Sequence, residues 1–287
     1  MRRSMLFLPG NTPKMIMNGA DFDADAVIFD LEDSVAFTEK DAARILMRNA
    51  LKMIDYKACQ VIIRINSVDV KYWQDDLKEV MPLKPDCVIL PKVNKAEDIA
   101  VVDEFMAKLE NANRFPVNKV GLIAQIETAL GVENAFEIAR AAKRVEGLFL
   151  GAEDLTADLH CKRTKMGNEI YYARARLVYA ARAAGIEVYD TPFTDVNDDE
   201  GIITDAEYAR SLGFTGKSSI SPRHVPVINK VFSPSEEEIA YANEVMEAIS
   251  TAAAEGRSVI ALHGKMIDKP VVMRAEQIIA IADELGL

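Results

Sequence analysis

Five short apolar segments of the chain each end in polar or charged side chains: Asp30-Leu31-Glu32-Asp33, Arg64-Ile65-Asn66, Pro91-Lys92, Gln125-Ile126-Glu127-Thr128 and Gly151-Ala152-Glu153-Asp154. One charge after a strand usually caps the next element or faces water. The repetition points instead to one shared rim. Glu127 and Asp154 follow successive segments, and two readings stand. Their carboxylates converge on one cation, or they cap the helices that follow. Oxygen ligands with no His or Cys nearby favour Mg2+ or Mn2+ over Zn2+. Arg64 also has two readings: its planar fork suits a substrate carboxylate, or it pairs with Glu32 or Asp33. The backbone N–H groups of Gly151, Ala152 and Glu153 precede an expected helix start and suit a carboxylate.

Eight β-like runs would have to position these groups: residues 4–8, 26–29, 61–65, 87–90, 120–125, 147–150, 186–189 and 216–220. Several are apolar without alternation, as parallel strands buried on both faces are. Helical patterns separate many of them, at 40–54, 95–109, 132–142, 171–184 and 205–212, and Gly185 is a natural stop. The rhythm predicts a (β/α)8 TIM barrel over residues 1–230, with its chemistry at the C-terminal strand ends. Residues 231–287 form a C-terminal helical extension. Ser233, Pro234 and Glu236 predict the start of a helix running to Gly256, an extended piece follows at 258–262, and a last helix covers 271–285.

Composition narrows the class. The chain has 287 residues, 49% hydrophobic and 28% charged, with a net charge of −11, so it folds into a full core and does not favour nucleic acid or an anionic membrane. Its three cysteines lie far apart and form no CxxC, which argues against a disulfide framework or a zinc ribbon. The apolar run before Pro9 is too short for a signal peptide, no stretch is long enough to span a membrane, and a cytoplasmic protein is expected. Gly213-Phe214-Thr215-Gly216-Lys217-Ser218 is not a phosphate loop, because the pattern needs Gly where Ser211 stands. His160, His224 and His263 lack metal-ligand spacing, and Trp73 is most simply a packing residue.

The order of Ser4-Met5-Leu6-Phe7-Leu8-Pro9-Gly10, Phe29-Asp30-Leu31-Glu32-Asp33-Ser34-Val35, Arg64-Ile65-Asn66, Leu90-Pro91-Lys92, Ile126-Glu127, Leu150-Gly151-Ala152-Glu153-Asp154, Gly216-Lys217-Ser218 and Gly264-Lys265-Met266-Ile267-Asp268 resembles one family: citrate lyase beta subunits and the malyl-, citramalyl- and citryl-coenzyme A lyases. The resemblance runs from Arg2 to the final helix. It implies a barrel of the phosphoenolpyruvate/pyruvate type that cleaves a carbon–carbon bond in a 3-hydroxyacyl thioester. It also implies Mg2+ held by Glu127 and Asp154, a keto acid held by Arg64, and Asp268 as an acid/base group reaching a neighbouring subunit's site in a homo-trimer or a multiple of it. Ser221 departs from the pattern, since many relatives carry His there and citrate lyase beta subunits Asn.

The leading expectation is cleavage of citryl-acyl carrier protein to oxaloacetate and an acetyl thioester, with acyl carrier protein and an acyl-transfer subunit as partners. The alternative in the same class is a free-standing citramalyl-, malyl- or citryl-coenzyme A lyase. A keto-acid-binding assembly subunit without turnover is the alternative of another class, disfavoured because Arg64, Glu127, Asp154 and Asp268 are all present.

Overall fold

A computed structural model describes residues 1–56, 59–254 and 260–287. Eight parallel strands close into a barrel in chain order: β1 Ser4–Pro9, β2 Ala26–Asp30, β3 Gln60–Arg64, β4 Cys87–Leu90, β5 Gly121–Ile126, β6 Val145–Leu150, β7 Glu187–Asp190 and β8 Gly216–Ser219. Pairing of Ser4 with Lys217 between β1 and β8 removes both free edges. Successive side chains on a strand face opposite sides, so Ala26 and Ile28, Cys87 and Ile89, with Met5, Ile62, Ile123, Phe149 and Tyr189, fill one inner cluster. The other residues of β2, Val27 and Phe29, are equally buried, which explains the unbroken apolar runs.

Helix bounds depart further from expectation. The 132–142 pattern is broken into Ala129–Glu133 and Ala135–Ala139. The helix expected from Asp205 begins at Asp199, because the Asp198 carboxylate accepts a hydrogen bond from Gly201 N–H at 2.9 Å and caps it. Helix Trp73–Val80 carried no expectation, and Trp73 itself packs edge-on against Phe105 at 5.3 Å between centroids.

The chain divides into two compact units, Arg2–Asn229 and Lys230–Leu287 with Met1. In the second, helices Glu236–Ala254 and Lys269–Leu285 pack through Ala242, Val245 and Ala275, beside a hairpin of β9 Ile260–Leu262 and β10 Lys265–Ile267. His263 and Gly264 both have positive φ, 49° and 74°, the geometry a two-residue hairpin turn needs. The capping box lies two residues later than expected. Ser235 N–H donates to Glu238 Oε2 at 2.8 Å and Glu238 N–H to Ser235 Oγ at 3.1 Å, while Ser233 N–H bonds the Lys230 carbonyl. The sequence Ser-Pro-Ser-Glu-Glu-Glu permits both registers, and the turn that ends helix Val225–Phe232 occupies the first. The expected helix end at Gly256 and the residues 258 and 259 of the extended piece lie outside the described residues.

Candidate active site

A cavity of about 450 Å3 opens at the C-terminal ends of the strands. β1 contributes Phe7, β2 contributes Asp30, and Asp33 and Ser34 follow it. Arg64 comes from β3, and Gln125 and Glu127 from the end of β5. Gly151, Ala152, Glu153 and Asp154 follow β6, and Thr191 and Pro192 follow β7. Six residues singled out from the sequence, Arg64, Glu127, Gly151, Ala152, Glu153 and Asp154, therefore line one wall system. Asp268 belongs to the other compact unit. There it caps helix Lys269–Leu285, accepting from Val271 N–H at 3.1 Å, with its side chain exposed.

Parallel register places Asp30 directly opposite Arg64. Arg64 Nε and Nη2 each donate to an Asp30 oxygen at 2.7 Å. Asp30 also accepts from Glu32 N–H at 2.8 Å and Ser34 N–H at 2.9 Å. Burial opposes its ionisation, but Arg64 and these donors hold it below the usual carboxylate range. The principal partner of Arg64 is thus Asp30, with Glu32 at 3.4 Å and Asp33 at 3.7 Å, the two expected from sequence, farther off. Arg64 lies over the Phe7 ring, 5.0 Å from its centroid.

Glu127 is buried. Its Oε1 accepts from Lys92 N–H at 2.7 Å and its Oε2 from the Gln125 side-chain amide. Burial, then the negative charges of Glu32 and Asp154, push its pKa up to about 8. A buried carboxylate that repels its neighbours in this way is a fit for a cation. Among the described residues, no three carboxylate, thiol or imidazole groups form a complete metal cage. Mg2+ does not need one, because it binds through one or two carboxylates and leaves the rest to water and substrate oxygens.

Two of the three amides expected to bind a carboxylate are already engaged. Gly151 N–H donates to the Ile126 carbonyl at 3.0 Å and Ala152 N–H to Thr191 Oγ1 at 3.2 Å. Both acceptors lie at the ends of neighbouring strands, Ile126 closing β5 and Thr191 following β7. Thr191 is itself held through its carbonyl by Lys217 Nζ at 2.6 Å. Lys217 joins Asp190, Asp205 and Arg174 in a buried group of two cations and two anions, with contacts of 2.6 to 2.9 Å. Sequence reasoning placed Asp30 on the rim but missed its pairing with Arg64, and it missed Thr191 and this group. Alignment of β2 with β3 carried the signal for the first; nothing local carried the others.

The sequence profile of the HpcH/HpaI aldolase/citrate lyase family matches residues 3–222. The chain is 42% identical to the citrate lyase subunit beta of Leuconostoc mesenteroides subsp. cremoris, over 99% of this chain and 94% of that one. It is similar to the structure of CitE from Mycobacterium tuberculosis in complex with magnesium, acetoacetate and coenzyme A, with a TM-score of 0.79, 32% identity and 98% of each chain covered. A citrate lyase beta subunit of the same organism complexed with oxaloacetate and magnesium matches with a TM-score of 0.68 and 31% identity, over 81% of this chain and 97% of that one. With a closed parallel barrel and a cavity that gathers charged side chains at its strand ends, the chain belongs to the HpcH/HpaI aldolase/citrate lyase family and is a lyase.

Proposed function

We propose that the chain cleaves the carbon–carbon bond of a citryl thioester carried on acyl carrier protein, giving oxaloacetate and an acetyl thioester, with Mg2+ as its metal. The observation that carries this reading is the meeting of Arg64, Glu127 and Asp154 in one cavity of a family lyase barrel. It is supported by relatives named as citrate lyase beta subunits and by their complexes with magnesium and oxaloacetate.

Glu127 and Asp154 would hold the Mg2+ by one carboxylate each. Bound there, the metal supplies Lewis-acid stabilisation of the oxygen on which negative charge develops. Arg64, fixed by Asp30, directs its remaining donor capacity and positive charge at the keto-acid end. Phe7 and Phe149, 5.8 Å apart between centroids, give the cavity an apolar side that keeps water from the reacting carbons. As the substrate hydroxyl gives its proton to water, its O–H electrons become the new carbonyl bond. The carbon–carbon bond breaks toward the thioester, and the enolate carbon takes a proton from Asp268 to become methyl. Asp268 would act in the site of a neighbouring subunit, in a homo-trimer or a multiple of it, and acyl carrier protein and acyl-transfer subunits would complete the assembly.

A free-standing lyase acting on coenzyme A thioesters of citramalate, malate or citrate is the second reading. Similarity to the coenzyme A-bound CitE structure favours it. Purified protein with Mg2+ is mixed in parallel with citryl-acyl carrier protein and with citryl-, citramalyl- and malyl-coenzyme A, and keto-acid release is followed with and without chelator. Chelator-sensitive oxaloacetate, fastest from the carrier protein, is the expected result. Faster pyruvate or glyoxylate release from coenzyme A thioesters selects the second reading. No product from a folded protein supplied with its partner subunits would overturn both.

A further inference from the structure

We propose that Lys92 is the built-in counter-cation of the acidic cavity wall, holding its carboxylates together when no divalent cation is bound and competing with one that binds. The inference rests on the Mg2+ reading above. Lys92 follows β4 with φ of 56°, in the left-handed region that a non-glycine residue adopts only when its surroundings demand it. The strained geometry puts both of its donors to use. Its N–H holds Glu127 Oε1 at 2.7 Å, and its ammonium donates to Glu32 and stands 3.5 Å from Asp33 and 3.8 Å from Asp154.

Charge balance makes the role specific. Arg64 gives its two 2.7 Å bonds to Asp30 and shares the charge of the wall only at longer range, 3.4 Å from Glu32 and 3.7 Å from Asp33. Lys92 approaches both Glu32 and Asp33 more closely than Arg64 does, and it stands beside Asp154 as well. Glu32 is 6% exposed, and its Oε2 has no hydrogen-bond partner, only the Arg64 Nη1 charge at 3.4 Å. Asp33 and Asp154 are about half exposed, so the buried Glu32 is the carboxylate that most needs a counter-charge. Lysine suits the post better than arginine, because its charge is compact and its stem flexible. The side chain is 36% exposed, so the ammonium has room to withdraw toward water when a dication takes over Asp154. Lys92 thereby sets the metal affinity.

The test measures Mn2+ binding by electron paramagnetic resonance of the free ion, with no turnover involved. Lys92→Met should bind Mn2+ on the order of tenfold more tightly than the unaltered protein, because one positive charge a few ångströms from the ion is gone. Lys92→Arg, which keeps the positive charge, should not tighten binding. Glu32→Gln should weaken binding by freeing the ammonium to pair with Asp154, and that weakening should shrink in the Glu32→Gln, Lys92→Met double variant. If Lys92→Met alone does not fold, comparing the double variant with Glu32→Gln isolates the lysine. Affinity equal to or weaker than that of the unaltered protein in a folded Lys92→Met would overturn the competition while leaving the Mg2+ reading standing. No saturable Mn2+ binding by the unaltered protein would overturn both.

Discussion

Gly151 approaches Glu127 so closely that a β-carbon built on it would stand 2.5 Å from Glu127 Oε2 and 2.8 Å from its Cβ. The absence of a side chain after β6 is therefore what lets the β5 carboxylate lie flat against the turn. Gly151→Ala should push Glu127 aside, costing about 1–3 kcal/mol in the packed wall. Mn2+ affinity should fall at least about tenfold, equivalent to roughly 1.4 kcal/mol. Unchanged affinity would show that Glu127 is not held for a metal.

Arg64 and Asp30 form a buried two-pronged pair, and the two residues should not tolerate separate loss. Arg64→Ala leaves Asp30 charged and enclosed, with an expected destabilisation of about 3–5 kcal/mol in urea unfolding. Arg64→Lys keeps the charge but cannot reproduce the fork. It should fold while keto-acid release drops by on the order of a hundredfold or more, the range seen when one transition-state donor is lost. Near-normal turnover in Arg64→Lys would remove Arg64 from the reaction.

Asp268 carries a structural duty as well as its proposed chemical one. Asn caps helices as well as Asp does, whereas Ala forfeits about 1 kcal/mol. Asp268→Asn should therefore keep the melting temperature and the binding of Mn2+ and oxaloacetate while turnover collapses, and Asp268→Ala should lose stability as well. A single-turnover assay with citryl thioester decides it. Turnover that survives in Asp268→Asn would leave the residue as a cap alone.

His224 gives the fold an acid-sensitive point. Burial first, then Arg223 and Lys217, depress its pKa below the usual 6.5, with Asp199 opposing. The folded protein thus favours the neutral ring. As pH falls through 6.5 the unfolded chain takes up a proton before the folded one does, and stability is lost. Urea midpoints at pH 7.5 and 5.5 should fall less for His224→Gln than for the unaltered protein. Equal losses in both would contradict this account.

Local pattern was enough to reveal the eight strands and the charged rim. A parallel strand buried on both faces leaves an apolar run, and a catalytic barrel end leaves a polar break after it. Arg64, Glu127 and Asp154 were legible for that reason. Helices were less so: Asp199–Leu212 begins in an acidic, Gly-containing stretch that reads as loop until the Asp198 cap is seen. What the chain alone determined was its alternating architecture, its family motifs and which residue types face the strand ends. Tertiary structure decided the partners. Asp30 rather than Glu32 secures Arg64, Lys92 gathers three carboxylates, and Thr191 takes the Ala152 amide. Each of those pairings joins segments tens of residues apart, so each exists only once barrel closure fixes the register and enclosure makes an unpaired charge costly.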